Sequence, residues 1–117
     1  MGERDRRSVL LGGFGETLVA AHYRARGYAV LERNWRDPTG ELDLICARGT
    51  TLVVCEVKTR ARSARGHPLE AVTPAKQRRL RRVAAAYLRQ QGRRWAEVRF
   101  DVAGVLDGAV DVVEGAF

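Results

Sequence analysis

The sequence has few of the features that mark secreted, zinc-binding or membrane proteins. Its only two cysteines, Cys46 and Cys55, lie within apolar runs, which indicates buried free thiols in a reducing compartment rather than a disulfide framework. With only two histidines besides, no zinc-ligand spacing can be assembled. A membrane span needs about 20 apolar residues, and no apolar stretch of the sequence approaches that length. Residues 1–7 lack the apolar core of a signal peptide. We therefore expect a cytoplasmic protein that does not bind membranes.

The length of the chain indicates how many domains it forms, and its charge indicates which class of partner it binds. A chain of 117 residues suits one domain, so we expect a single domain over 1–117, with the charged residues 1–7 disordered. Lys and Arg number 21 against 14 Asp and Glu, which gives a net charge of +7 and an isoelectric point near 10.4. This surplus favours a polyanionic partner, nucleic acid before membrane. A soluble protein that is merely basic is the alternative.

Two segments have the spacing of amphipathic helices. The first is predicted to begin with Ser8 as its N-cap and to end at Gly27. Its predicted apolar face is Leu11, Phe14, Leu18, Ala21 and Ala25. Glycines at 12, 13 and 15 weaken this helix or allow another backbone to come close. The second helix is predicted from Thr73-Pro74 to Gly92. Its apolar face is Leu80, Val83, Ala84, Tyr87 and Leu88, and its opposite face is Arg78, Arg81, Arg82 and Arg89, a pattern usual for a solvated surface.

Strand patterns occupy most of the remaining chain. Strands are predicted over 28–35, 41–47, 51–59 and 98–102, with a short fifth over 109–113. Residues 37–40 have the composition of a turn, and a tight turn is expected around Gly49. The strand over 51–59 is apolar on both faces, which predicts a central position in the sheet. A basic loop is expected over 60–67.

Acidic residues interrupt two of these apolar strands. Residues two apart in a strand share a face, so Glu41 points with Asp43, and Glu56 points with Lys58. A two-residue hairpin at Gly49-Thr50 would place Asp43 opposite Glu56, whereas a three-residue loop would separate them. Two facing carboxylates repel, and a hard cation such as Mg²⁺ or Mn²⁺ would turn that repulsion into a ligand set. The alternative is a structural ion pair of Lys58 with one of the acids.

The same segments resemble a known nuclease core. Gly40-Glu41-Leu42-Asp43-Leu44-Ile45 followed by Val54-Cys55-Glu56-Val57-Lys58-Thr59-Arg60 is similar to the core of the PD-(D/E)xK superfamily, and most similar to the YraN-like family of uncharacterised bacterial proteins. Further pieces of the resemblance are Gly12-x-x-Gly15-Glu16, Arg33-Asn34-Trp35-Arg36 and Lys76-Gln77-Arg78-Arg79-Leu80. Archaeal Holliday-junction resolvases are similar in the same core. One departure is Glu41-Leu42, which stands where many relatives have Pro before the Asp.

The resemblance implies an α/β, restriction-endonuclease-like αβββαβ fold, with a central mixed sheet flanked by helices. It implies Mg²⁺ or Mn²⁺ ligands at Asp43 and Glu56, a catalytic lysine at Lys58 and a further acid at Glu16. Glu16 lies off the predicted apolar face, so a solvated helix acid is the alternative. Because the resolvases act as two-fold dimers, the resemblance also suggests a homodimer.

Residues that would contact a nucleic-acid backbone flank this core. Arg60, Arg62 and Arg65 follow the catalytic segment directly. Lys76 and Gln77 lie in the first turn of the second helix, where N-termini attract phosphate, although capping or surface roles are the alternative. We therefore expect a metal-dependent endonuclease acting on structured or branched DNA. The alternatives are a nucleic-acid-binding module of the same fold without useful catalysis, and an accessory factor in DNA uptake or repair.

Overall fold

The computed structural model describes residues 3–60 and 72–117, with side chains from Gly13 onward. Its elements are α1 Glu3–Arg24, β1 Ala29–Asp37, β2 Gly40–Arg48, β3 Thr51–Arg60, α2 Pro74–Gln91, β4 Glu97–Leu106 and β5 Ala109–Val113. The predicted αβββαβ order is confirmed, and β5 adds one strand to it. Among the described residues, no helix is both long and apolar enough to span a membrane.

The strands form one open mixed sheet in the order β1-β2-β3-β4-β5. β3 and β4 run parallel because α2 crosses over between them, and every other neighbouring pair is antiparallel. β3 is therefore central, as its apolar residues on both faces predicted. One apolar core lies between the sheet and α1, and a second lies between the sheet and α2.

The turn between β2 and β3 sets the register on which the candidate site depends. Gly49-Thr50 forms a two-residue turn, and the glycine has φ of 60°, as the first central position of a type II′ turn requires. Leu44 and Cys55 are the last pair of the ladder, and Asp43 and Glu56 are the next residues along the two strands, with their side chains in contact. The prediction that these two acids lie opposite each other is confirmed.

The start of α1 differs from the prediction. The helix begins at Glu3, so Ser8 is not its N-cap, and residues 3–7 lie within the helix. Glu and Arg have high helix propensity, so this charged run extends the helix instead of ending it. The predicted C-terminal end is confirmed, since Gly27 is left-handed and the Tyr28 N–H donates to the Tyr23 carbonyl.

The face that α1 presents to the sheet is not the predicted one. Phe14 is 61% exposed, Ala21 and Ala25 are exposed, and Leu18 is half-buried. Leu11 lies outside the residues whose side chains are described. The buried residues are instead Gly15, Glu16, Val19, Ala20 and Tyr23. The prediction failed because two of these are polar, and both can face the sheet only because they hydrogen-bond to residues of other elements.

The second helix agrees with its prediction. Thr73 caps it by accepting the Lys76 N–H at 3.2 Å, Pro74 is its first residue, and Gly92 closes it in the left-handed conformation. Its buried face is Leu80, Val83, Ala84, Ala86 and Tyr87, with Leu88 half-buried against the same core. Its N-terminal turn thereby lies beside the acidic end of β2 and β3.

A buried carboxylate fastens α1 to the sheet. Asp101 on β4 is fully buried and accepts hydrogen bonds from the Tyr23 hydroxyl at 2.6 Å and the Gly115 N–H at 3.0 Å. It also accepts from Arg99 Nε at 2.9 Å and Arg99 Nη2 at 3.0 Å, and Arg99 donates to the Tyr28 hydroxyl as well. Burial, with Asp101 adjacent, raises the pKa of Tyr23. The C-terminal turn of α1, β4 and the segment after β5 therefore meet at one carboxylate.

Two glycines of α1 provide a matched test of how closely this helix approaches β3. A Cβ at Gly15 would overlap the Thr59 hydroxyl, whereas a Cβ at Gly13 would meet nothing within 4 Å. We expect Gly13→Ala to raise the free energy of unfolding by about 0.5–1 kcal/mol, because alanine restricts the unfolded chain and favours helix. Gly15→Ala should not raise the free energy of unfolding, since Thr59 must leave its rotamer or the helix must shift.

Urea unfolding of both variants in the wild-type and Thr59→Ala backgrounds measures the effect. In the Thr59→Ala background the difference between the two alanine variants should largely disappear. Equal stabilisation of both variants in the wild-type background would contradict the close approach.

Candidate functional site

Two carboxylates meet where the backbone ladder between β2 and β3 ends. The Asp43 Oδ2 atom accepts the Val57 N–H at 2.9 Å, so the side chain takes the position of a ladder partner. The Asp43 carboxyl also lies within hydrogen-bonding reach of the Glu56 carboxyl, and Glu56 is only 9% exposed. A hydrogen bond between two carboxyl groups requires a proton on one of them. In the absence of a cation, the raised pKa of Asp43 favours a pair that holds one proton.

The surroundings of the pair decide which acid keeps that proton. Burial, the hydrogen bond to Glu56 and the Glu56 charge raise the pKa of Asp43 to about 8. Burial also pushes the pKa of Glu56 upward, but the Asp43 hydrogen bond and the ammonium groups of Lys76 and Lys58 outweigh it and lower that pKa. Asp43 is thus the protonated partner and Glu56 the ionised one.

Two lysines lie beside Glu56. Lys76 Nζ, from the first turn of α2, is 3.2 Å from Glu56 Oε2. Burial and the adjacent Lys76 lower the pKa of Lys58, while the carboxylates oppose that shift. The pKa of Lys76 is raised, because its contacts with Lys58 and Glu56 outweigh the effect of burial. Lys58 is therefore the lysine that gives up its proton more readily.

Glu16 approaches the same group of charges from α1. Its Oε2 atom accepts the Asn34 Nδ2–H at 2.7 Å, and the residue is 7% exposed. Burial raises the pKa of Glu16, the Asn34 hydrogen bond opposes the shift, and the charges of Glu41 and Glu56 add to it. The interpretation of Glu16 as a solvated helix acid is wrong, because its side chain is buried.

A cavity of about 370 Å³ opens on the acid pair. Acidic residues of β2 and β3 form one wall, and basic residues of the first turns of α2 form the other. The lining residues are Gly40, Glu41, Asp43, Glu56, Lys76, Arg79 and Leu80. A group entering this cavity meets acidic side chains on one side and basic side chains on the other.

The other predicted site residues are placed as follows. Arg60 is the last residue of β3, and Arg62 and Arg65 lie outside the described residues. Gln77 donates its amide to the Val72 carbonyl at 3.1 Å, and so holds the segment before α2. Glu41 lies on the cavity wall and forms an ion pair with Arg36 at 3.2 Å.

Sequence reasoning gave no role to Asn34 or Arg79, which belong to this region. Asn34 lies between the β1 positions that pair with Leu44 and Leu42, and so opposite Asp43. Its φ of 54° is unusual within a strand, and Asn tolerates this left-handed conformation better than most residues. An asparagine inside an otherwise β-type segment was the signal that could have identified the position.

The donor set fits a hard divalent cation that keeps most of its water. Within residues 3–60 and 72–117, no three His, Cys, Asp or Glu side chains are arranged to hold a metal ion. Mg²⁺ does not need such a cage, because it commonly binds through one or two carboxylates and retains several waters. Asp43 and Glu56 could serve as that pair once Asp43 has lost its proton.

Residues 15–105 match the description "Uncharacterised protein family UPF0102". The chain belongs to this family. The part of the chain that matches UPF0102 contains all the acids and lysines of the site described above, namely Glu16, Glu41, Asp43, Glu56, Lys58 and Lys76.

The similarity to other UPF0102 proteins extends over most of the chain. A UPF0102 protein of Rhodococcus jostii is 48% identical over 101 residues, which is 86% of each chain. One of Beutenbergia cavernae is 51% identical over 96 residues, covering 82% of this chain and 81% of the relative. One of Chlorobaculum parvum is 45% identical over 101 residues, covering 86% of this chain and 78% of the relative.

The shared proton predicts a pH-dependent effect of an amide at position 43. In the folded UPF0102 chain Asp43 keeps its proton to pH about 8, whereas the unfolded chain loses it near the ordinary value of 3.8. The folded state therefore binds more protons between these values, and this group lowers the free energy of unfolding as the pH rises. Asp43→Asn can keep both hydrogen bonds without the charge. In EDTA it should be neutral at pH 4 and stabilising by about 1–3 kcal/mol at pH 8.

Urea unfolding at pH 4 and pH 8 tests this, with two comparison variants. Asp43→Ala loses both hydrogen bonds and should be less stable than Asp43→Asn at either pH. Leu44→Ala, at a fully buried position, should cost about 2–5 kcal/mol at both pH values. A large destabilisation by Asp43→Asn at pH 8 would mean that Asp43 serves a structural ion pair.

Proposed function

We propose that this UPF0102 chain is a metal-dependent endonuclease of the PD-(D/E)xK type that hydrolyses phosphodiester bonds of structured or branched DNA. The observation that carries the proposal is the Asp43–Glu56 pair facing a cationic wall, with a lysine of lowered pKa alongside. A structural role alone does not call for two adjacent acids that share a proton beside an open cavity.

Each group in the site has a chemical role in this proposal. Asp43 and Glu56 would hold Mg²⁺ or Mn²⁺. When bound, the ion would lower the pKa of a water molecule and offset negative charge on the phosphate oxygens. Lys58, whose pKa is lowered, is suited to orient an attacking water and to accept its proton. Arg79, on the opposite wall of the cavity, is placed to attract the phosphate that enters.

Glu16 adds a third acid at the border of the site. Asn34 fixes its orientation through the 2.7 Å hydrogen bond, and Arg33 ties the same stretch of α1 to β1 by donating to the Gly13 carbonyl at 3.2 Å. Its charge acts on both members of the acid pair. In the proposed enzyme, Glu16 would order water on the α1 side rather than replace either ligand.

The second candidate is a nucleic-acid-binding module of the same fold. One observation favours it: Lys76 already neutralises Glu56 without a metal, so the site needs no cation for charge balance. In that case a basic surface would bind nucleic acid and the acids would be inert. Catalysis and metal binding separate the two candidates.

Cleavage assays with matched variants test the proposal. In Mg²⁺ or Mn²⁺ the purified protein should cleave branched or single-stranded DNA, and EDTA should stop it. Asp43→Ala and Glu56→Ala should abolish both Mn²⁺ binding and turnover by removing a ligand. Lys58→Met should reduce turnover by about 10²-fold or more and leave Mn²⁺ binding nearly intact, because lysine acts on water and not on the metal.

Arg24→Gln, an exposed change on the C-terminal turn of α1, is the control and should leave turnover unchanged. If substrates of every topology survive in both metals, the binding-module candidate replaces the enzyme. The same conclusion follows if the Asp43, Glu56 and Lys58 variants all cleave like the wild type.

A further inference from the structure

The second helix carries basic side chains and no acid. Between Pro74 and Gln91 there are six basic residues and neither Asp nor Glu. These basic residues are Lys76, Arg78, Arg79, Arg81, Arg82 and Arg89. Like charges one turn apart on a helix repel, so this composition does not stabilise α2 by itself.

The basic residues of α2 extend from the cavity to the exposed face of the helix. Lys76 and Arg79 line the cavity. Each residue advances about 100° around a helix, so Arg78, Arg82 and Arg89 project opposite the buried Leu80 face, and all three are exposed. We call these three residues the α2 crest.

The crest arginines lack the partners that several other arginines of the chain have. Arg36 and Arg99 form ion pairs with acids, and Arg81 lies over the Phe100 ring at 4.8 Å. No carboxylate of the described residues forms a salt bridge with a crest residue. The crest therefore keeps its positive charge toward solvent, where it can attract a polyanion.

The chemistry of α2 favours nucleic acid over a lipid surface. A membrane-bound amphipathic helix inserts its apolar face, but the apolar face of α2 is buried against the sheet. Arginine forms bidentate hydrogen bonds to phosphate. From Lys76 to Arg89 the helix rises about 20 Å, which corresponds to about six base pairs of duplex.

We propose that the α2 crest binds the phosphate backbone of a duplex arm of the substrate, next to the phosphodiester in the cavity. The proposal rests on the proposed function and names its substrate class: a branched or flapped nucleic acid with a double-stranded arm of about six base pairs or more. A plain single strand then lacks the crest contacts.

Binding measured without metal tests this apart from catalysis. Fluorescence anisotropy in EDTA compares a duplex arm bearing a single-stranded flap, a single strand of equal length, and phosphatidylglycerol vesicles. Arg78→Gln with Arg82→Gln should weaken binding of the flapped duplex about tenfold or more. The slope of log affinity against log salt should fall by about 2, as expected for two lost phosphate contacts.

Arg24→Gln with Arg26→Gln removes the same charge at and just after the C-terminal end of α1. This double variant should change affinity less than about twofold, if phosphate contacts and not net charge decide binding. Arg89→Gln should weaken binding only when the arm exceeds about six base pairs. Circular dichroism melts establish that each variant is folded.

Several results would overturn the crest proposal. Equal losses in the two double variants would show an effect of net charge alone. An equal loss on single strands would remove the duplex preference, and crest-dependent vesicle binding would favour a membrane surface. Absence of cleavage in the wild type overturns the proposed enzyme but leaves the binding result unaffected.

The Lys76–Glu56 ion pair carries a second and independent inference. Lys76 Nζ is 3.2 Å from Glu56 Oε2, and the two side chains are only 22% and 9% exposed. The helix start is fixed by the Thr73 cap and Pro74, which hold the lysine stem over the acid pair. The ammonium group thus supplies the positive charge that a divalent cation would bring.

We infer that Lys76 is a resident counter-ion that competes with the metal for Glu56 and is released toward substrate phosphate when the metal binds. This inference also rests on the proposed function. Removing the Lys76 ammonium group should therefore tighten metal binding, even though Glu56 loses a partner that holds its side chain in place.

Calorimetric titration of Mn²⁺ into the metal-free protein measures this competition. Lys76→Met should raise Mn²⁺ affinity several-fold, and Lys76→Arg, which keeps the charge, should stay close to the wild type. Arg79→Gln is the matched control, because it removes a charge from the same cavity without an ion pair to Glu56, and its effect should be smaller.

Unchanged or weaker Mn²⁺ affinity in Lys76→Met would overturn the counter-ion inference while leaving the enzyme proposal intact. If neither the wild type nor Lys76→Met binds Mn²⁺, the metal-dependent function fails as well. If Lys76→Met does not fold, a rise in Mn²⁺ affinity in Lys76→Gln supports the inference, and its absence overturns it.

Discussion

The repulsion between two adjacent carboxylates is the constraint around which this fold is arranged. Asp43 and Glu56 are held opposite each other by the hairpin register and cannot move apart without slipping the two central strands. At about 5 Å and an effective dielectric near 20, two ionised carboxylates repel by about 3 kcal/mol. A protein that is only marginally stable must offset a cost of this size nearby.

The surrounding elements each contribute to that offset. β3 donates the Val57 N–H to Asp43, α2 brings Lys76 to Glu56, and Asp43 retains a proton. α1 adds a further buried acid at Glu16, which is tolerated because β1 supplies the Asn34 amide. The site is therefore a set of charges and hydrogen bonds drawn from five elements, and the metal binding proposed above would change its protonation.

Local patterns predicted most of the fold and the centre of the site. The Gly49 turn, the alternation in β2 and β3 and the cap at Thr73 are all short-range signals, and together they place Asp43 and Glu56 face to face. The face of α1 was mispredicted because the buried polar residues Glu16 and Tyr23 have partners elsewhere in the chain. No local period reveals such partners, and the ion pair of Lys76 with Glu56 escaped prediction for the same reason.

The Asp101 network also bears on how the protein is made. The hydrogen bond from Tyr23 to Asp101 spans 78 residues, so α1 is not fully seated until β4 has left the ribosome. The β2–β3 hairpin, by contrast, closes between neighbouring segments and can form early in synthesis. Glu16 lies on the same helix two turns before Tyr23, so it reaches its final position only when α1 is seated. In the proposed enzyme, this order would keep the site incomplete while the nascent polypeptide still lies beside ribosomal RNA.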